Sequence, residues 1–86
     1  MKPLGDERHH YWLALRMAKA TGLDLAEEMA EGRITQADWA WVVTACRGCD
    51  WAGRCPDWLE AHPQVAAAPQ QCVNAGRFAA LKAEAP

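Results

Sequence analysis

The residues of this chain that could carry chemistry are four cysteines, all in its second half. Their spacing is C-x2-C-x5-C-x16-C, formed by Cys46, Cys49, Cys55 and Cys72. Four thiolates complete the tetrahedral coordination of one zinc ion, and they equally supply one ligand to each iron of a [4Fe-4S] cubane. Two disulfides would use the same four residues. The function therefore depends on which of these three arrangements the chain adopts.

The sequence favours a bound metal over disulfides. Residues 1–10 contain neither the apolar core nor the small-residue cleavage site of a signal peptide, and no apolar run is long enough to cross a membrane. We therefore expect a cytoplasmic protein, in which thiols stay reduced and clustered cysteines bind metal more often than they form bridges. The 86 residues predict a single small domain, residues 1–86, with a flexible segment at 1–8 and a metal-binding segment at 46–72.

The spacing favours an iron–sulfur cluster over zinc. Structural zinc sites typically use two closely spaced ligand pairs, whereas only Cys46 and Cys49 form such a pair here. The C-x2-C-x5-C trio resembles the cluster-binding triplet of the iron–sulfur DNA glycosylases of the helix–hairpin–helix type and that of the WhiB-like redox regulators. In both groups the fourth cysteine precedes the trio, whereas Cys72 follows it, so neither function is transferred to this chain. We predict a [4Fe-4S] cluster, with Zn²⁺ as the alternative.

Five further residues close to the cysteines in sequence are candidates for the surroundings of the centre. Two tryptophans would form an apolar wall that keeps water away from a cluster and tunes its potential. Three arginines could offset the negative charge that four thiolates bring to the cluster. The simpler interpretation is that the tryptophans are ordinary core residues and that the arginines are solvated at the surface. The five residues are Trp51, Trp58, Arg47, Arg54 and Arg77.

The remaining composition narrows the class of function. A net charge of −2 and a pI of about 5.8 leave no basic surface for a nucleic acid. The chain contains no serine, and no other catalytic set accompanies the cysteines, so we do not expect an enzyme. We expect a small iron–sulfur protein that acts in electron transfer or in redox or oxygen sensing, with a protein as its redox or regulatory partner. The alternative is a zinc-stabilised helical adaptor without redox activity.

The elements that must position the cysteines are predicted to be helices. Eighteen alanines and the lack of any alternating apolar run favour an all-α fold, a small bundle of four to five short helices. Thr35 is a candidate N-cap, with Asp38 at the third position of a helix whose buried face continues to Cys46. Pro69 is expected to open the last helix and to place Cys72 in its first turn.

The apolar faces of three other helices follow from their periodicity. Residues 9–20 would bury Tyr11, Leu15 and Ala18. A second helix, capped by Asp24, would turn Leu25, Ala26, Met29 and Ala30 inward and Glu27, Glu28 and Glu31 outward. The last helix would carry Cys72, Ala75, Gly76 and Ala79 on one side.

Several segments of the chain also resemble a known family. They are Leu23-Asp24-Leu25-Ala26-Glu27-Glu28, Gly32-Arg33-Ile34-Thr35, Cys46-Arg47-Gly48-Cys49 and Pro69-Gln70-Gln71-Cys72. The resemblance covers roughly residues 20–82 and is to a family of small four-cysteine proteins of alphaproteobacteria, a domain of unknown function. It implies a cytoplasmic bacterial protein and supplies no activity.

Overall fold

The computed structural model describes residues 4–84, and all regular elements in that range are helices. This confirms the predicted all-α fold. The five helices are α1 (Glu7–Ala20), α2 (Leu25–Ala30), α3 (Gln36–Arg47), α4 (Cys55–Ala61) and α5 (Ala75–Glu84). Helix α1 lies at the centre of the fold, because it packs against α2, α3 and α4.

Helix α1 buries a different stripe from the one predicted. Its N-cap is Asp6, whose side chain accepts a hydrogen bond from the His9 N–H at 2.7 Å. Leu13 and Met17 are 3% and 2% exposed, whereas Tyr11 is 39% exposed. Of the predicted face, Ala18 is buried and Leu15 is partly buried against the core, whereas the prediction for Tyr11 was wrong.

Helix α2 contains a buried carboxylate that its periodicity did not predict. Asp24 caps the helix as expected and accepts a hydrogen bond from the Glu27 N–H at 3.2 Å. The prediction that Glu28 faces outward was wrong, since its side chain is buried and receives two hydrogen bonds from the Arg33 guanidinium at 2.6 and 3.1 Å. The pair satisfies the buried charge. Two residues predicted to face inward, Ala26 and Ala30, are exposed.

Helix α3 begins and packs as predicted. Thr35 Oγ1 accepts from the Asp38 N–H, and Asp38 Oδ2 accepts from the Thr35 N–H, both at 3.0 Å. These reciprocal bonds hold the pKa of Asp38 below its usual value. Trp39, Val42 and Val43 are buried, and the same face continues to Cys46.

The chain before α1 is bonded to the end of α3. The Gly5 N–H donates to the Arg47 carbonyl at 3.0 Å, and Arg47 Nε donates to the Gly5 carbonyl at 2.8 Å. Part of the predicted flexible segment at 1–8, residues 1–3, lies outside the described residues. Flexibility of the segment stays a prediction.

The last helix starts later than predicted. Residues 69–74 form turns, in which the Cys72 N–H donates to the Pro69 carbonyl at 3.0 Å, and α5 begins only at Ala75. Its buried residue is Phe78, which is 2% exposed, whereas Gly76 and Ala79 of the predicted inner side are exposed. The turn is closed just before α5 by a hydrogen bond from the Ala75 N–H to the Cys72 carbonyl at 3.1 Å.

Candidate metal centre

The four cysteines line one enclosed cavity in the middle of the fold. All four come from helix ends and turns of the second half, and the remaining wall is largely apolar. The cavity has a volume of about 20 Å³, which is room for about one water molecule. The lining residues are Cys46, Cys49, Cys55, Cys72, Leu13, Ala14, Met17, Trp51, Val73, Asn74 and Phe78.

Each cysteine is placed by a local backbone feature. Cys46 lies in the last turn of α3, and the Cys49 N–H donates back to its carbonyl at 3.1 Å, which folds the pair together beyond the helix end. Cys55 is the first residue of α4, where the sequence had suggested a loop. Cys72 lies in the turn before α5, so the prediction of a helical first turn for it was wrong.

Burial keeps the thiols of Cys46, Cys55 and Cys72 protonated in the absence of a cation. Desolvation, together with the negative charges that the neighbouring thiolates would carry, raises the pKa of Cys46 to about 12 and that of Cys55 to about 11. Desolvation also raises the pKa of Cys72, but backbone N–H groups of Asn74 and Ala75 donate to its sulfur and oppose the shift. The mutual electrostatic influence of the cysteines shows that they are near neighbours.

The four thiols form no disulfide and do not surround a single point. All four cysteines are unbridged, and the Cys49 thiol donates to the Gln71 carbonyl at 3.7 Å. Within residues 4–84, no three His, Cys, Asp or Glu side chains form a group that could hold a metal ion as they stand. The cysteines therefore share a cavity without forming a closed metal site.

Of the five residues proposed to surround the centre, Trp51 lines the cavity. Trp58 does not line the cavity but packs edge-on against Trp51, with ring centroids 6.0 Å apart. Its ring also stacks on that of His62, with centroids 4.4 Å apart. The arginines have other positions: Arg47 is bonded to Gly5, and Arg77 lies 5.6 Å from the Trp41 ring centroid. Arg54 is exposed at the N-terminus of α4.

Other residues take the roles that the sequence argument assigned to these arginines. The positive charge that lowers the pKa of the Cys55 thiol is that of Arg16, on α1. The inner wall of the cavity also comes from α1, through Leu13 and Met17. Neither contribution was predicted, since all three residues lie at least 29 positions before the first cysteine in sequence. The one pattern that could have indicated the wall is the i, i+4 spacing of Leu13 and Met17.

Comparison with known proteins identifies the family without an activity. A family profile matches residues 1–84 and is that of a family of unknown function, DUF6455. The chain belongs to this family. No curated protein and no solved structure matches it. In the described part of this DUF6455 chain, no helix is both long and apolar enough to span a membrane.

Proposed function

We propose that the protein holds a [4Fe-4S] cluster on Cys46, Cys49, Cys55 and Cys72 and acts in electron transfer or in redox or oxygen sensing. The observation that carries the proposal is the shared cavity, since all four thiols of the chain border one enclosed, largely apolar space. Sulfur ligands of this kind select zinc or iron–sulfur clusters over hard cations. The choice between those two rests on the spacing of the cysteines along the chain.

The ligand spacing favours the cluster over zinc. Structural zinc sites typically use two closely spaced pairs of ligands, whereas Cys46 and Cys49 form the one such pair here and sixteen residues separate Cys55 from Cys72. Either centre requires the four thiols to move closer together, because within residues 4–84 they form no group that could hold a metal ion as they stand.

The walls suit a redox centre. A bound cluster would supply one-electron transfer at a potential set by its charge, by hydrogen bonds to its sulfurs and by its exposure to solvent. Leu13, Met17, Trp51 and Phe78 would exclude water from it. The Arg16 charge would favour the anionic thiolate of Cys55. Backbone N–H groups already directed at Cys72 would stabilise its thiolate in the same way.

The alternative is a zinc-stabilised helical adaptor that presents a helix face to a protein partner. It is favoured by two tryptophans that no core residue covers: Trp12 on α1 is 55% exposed and Trp41 on α3 is 62% exposed. Large exposed aromatic side chains are typical of surfaces that bind another protein. Under either function we propose a cytoplasmic protein with a protein partner and without nucleic acid.

Anaerobic purification after expression with ample iron tests the two functions. The cluster predicts brown protein with broad visible absorption, about four iron and four sulfide per chain, and a paramagnetic signal on one-electron reduction or oxidation. Replacing any one cysteine by serine should lower the iron content, whereas Thr44→Ser, an exposed change on α3, should not. Colourless protein with one zinc per chain would replace the cluster with the adaptor function. Protein with neither metal would contradict both.

A further inference from the structure

One buried polar residue beside the cysteines has no role in the centre as described so far. Asn74 is 2% exposed and lines the cysteine cavity. Its Nδ2 donates to the Val42 carbonyl at 2.9 Å, across 32 residues of sequence, while its Oδ1 has no hydrogen-bond partner. Its backbone N–H donates to the sulfur of Cys72.

These bonds connect the first and the fourth cysteine. Val42 lies on α3, one helical turn before Cys46, and Asn74 lies two residues after Cys72. The side chain of Asn74 therefore ties the turn that carries Cys72 to the helix that carries Cys46. The turn is itself closed by the hydrogen bond from the Ala75 N–H to the Cys72 carbonyl at 3.1 Å.

Packing alone does not account for an asparagine at this position. A buried carbonyl oxygen without a partner opposes folding, and an apolar side chain of similar size would avoid that cost. The gain that offsets it is the long-range bond from Nδ2 to α3. Within residues 4–84, α3 is the one helix to which a side chain of this turn donates a hydrogen bond.

We propose that Asn74 is the positioning residue of the metal centre: it holds the Cys72 thiol toward the other three by anchoring its turn to α3. This inference rests on the proposed function, because it assigns the residue to the same four-cysteine site. It applies to a cluster and to a zinc ion alike, since both need Cys72 to converge with the other thiols. Residues that orient metal ligands typically contribute 10–100-fold to metal affinity.

The test compares two Asn74 variants with a matched control. Asn74→Leu removes the amide and keeps the volume, whereas Asn74→Asp keeps the size and Oδ1 but places an oxygen where Nδ2 donates to Val42. The control is Thr21→Val, because Thr21 is 1% exposed and its hydroxyl also donates one bond to a backbone carbonyl, that of Ala18 at 2.7 Å. Thr21 does not line the cavity.

Each protein is loaded anaerobically with iron and sulfide, or with Zn²⁺ if wild type accepts only zinc, and the rate of metal loss to a chelator is measured beside the thermal midpoint. Both Asn74 variants should lose metal roughly 10–100-fold faster than wild type. Thr21→Val should lower the thermal midpoint but keep the rate within about twofold. If the Asn74 variants and the control lost metal at equal rates, the inference about Asn74 would be wrong while the proposed function would stand. A wild type that accepts neither iron and sulfide nor zinc would overturn the proposed function as well.

Discussion

The four thiols differ chemically although they share one cavity. Cys46 and Cys55 lie against apolar walls, which raise their pKa to about 12 and about 11. The Cys72 sulfur receives backbone N–H donors that partly offset its burial. In metal-free protein the thiols of Cys46, Cys55 and Cys72 are therefore neutral at pH 7, and a metal ion can bind to them only by displacing their protons.

Metal binding should release protons and should strengthen as the pH rises. Below the raised pKa values, each bound thiol must lose one proton, so affinity should change by up to about tenfold per pH unit for each thiol that coordinates. Calorimetric titration with Zn²⁺ as probe, at pH 7 in buffers of different ionisation enthalpy, counts the protons released. Cys72→Ser should release fewer protons than wild type. A titration that releases none would contradict thiol coordination.

The residue that tunes the charge of the centre should be Arg16. Its guanidinium lowers the pKa of the Cys55 thiol, so it favours negative charge at the site. Arg16→Met should lower the reduction potential of a bound cluster by on the order of 30–60 mV, since about 59 mV corresponds to a factor of ten for one electron. Arg8→Met, an exposed change on the same helix, is the control. Equal reduction potentials in the two variants would mean that the shift reflects the net charge of the protein and not the position of Arg16.

At the scale of elements, features that depend on residues close together in sequence were predicted correctly, whereas features that depend on contacts between distant segments were not. The Thr35–Asp38 capping box was predicted because all its donors and acceptors lie within four residues. The start of α5 was predicted six residues too early, since the turn around Cys72 is stabilised by a bond from Asn74 to α3. The grouping of the cysteines was predicted from their number and spacing, and all four line one cavity, whereas the α1 wall required knowledge of helix packing. Their convergence on a single metal centre stays a prediction.

The burial of Glu28 is another case that periodicity could not predict, because its partner lies in the loop after α2. The Arg33 hydrogen bonds hold the pKa of Glu28 below its usual value. A lowered folded-state pKa stabilises the protein above the unfolded pKa of about 4.3, and the stabilisation is lost as the pH falls through the folded value.

Glu28→Gln should therefore lower the thermal midpoint at pH 7, and the difference from wild type should shrink as the pH is lowered toward 3. The matched control is Glu27→Gln, an exposed position of the same helix that should change the midpoint little at either pH. The measurement is thermal unfolding followed by circular dichroism. A difference between Glu28→Gln and wild type that is independent of pH would attribute the effect to packing rather than to the ion pair.

On the scale of the whole molecule, the cysteine cavity lies where the two halves of the chain meet. Its inner wall comes from α1, and its four cysteines come from α3, the following loop, α4 and the turn before α5. The last helix contributes one fully buried large side chain, Phe78, to the core. A bound metal would therefore add a cross-link next to α5, and we expect α5 to depend on it more than the other helices do.

Cys72→Ser should separate the stability of α5 from that of the rest of the fold. With the centre loaded in wild type, amides of residues 75–84 should be protected from hydrogen exchange. In the variant their exchange should accelerate by on the order of tenfold or more, while α1 and α3, which pack against each other, keep most of their protection. Gln70→Ser, at an exposed position of the same turn, is the control. Equal acceleration in α1, α3 and α5 would mean that the domain unfolds as one unit and that the centre stabilises all of it.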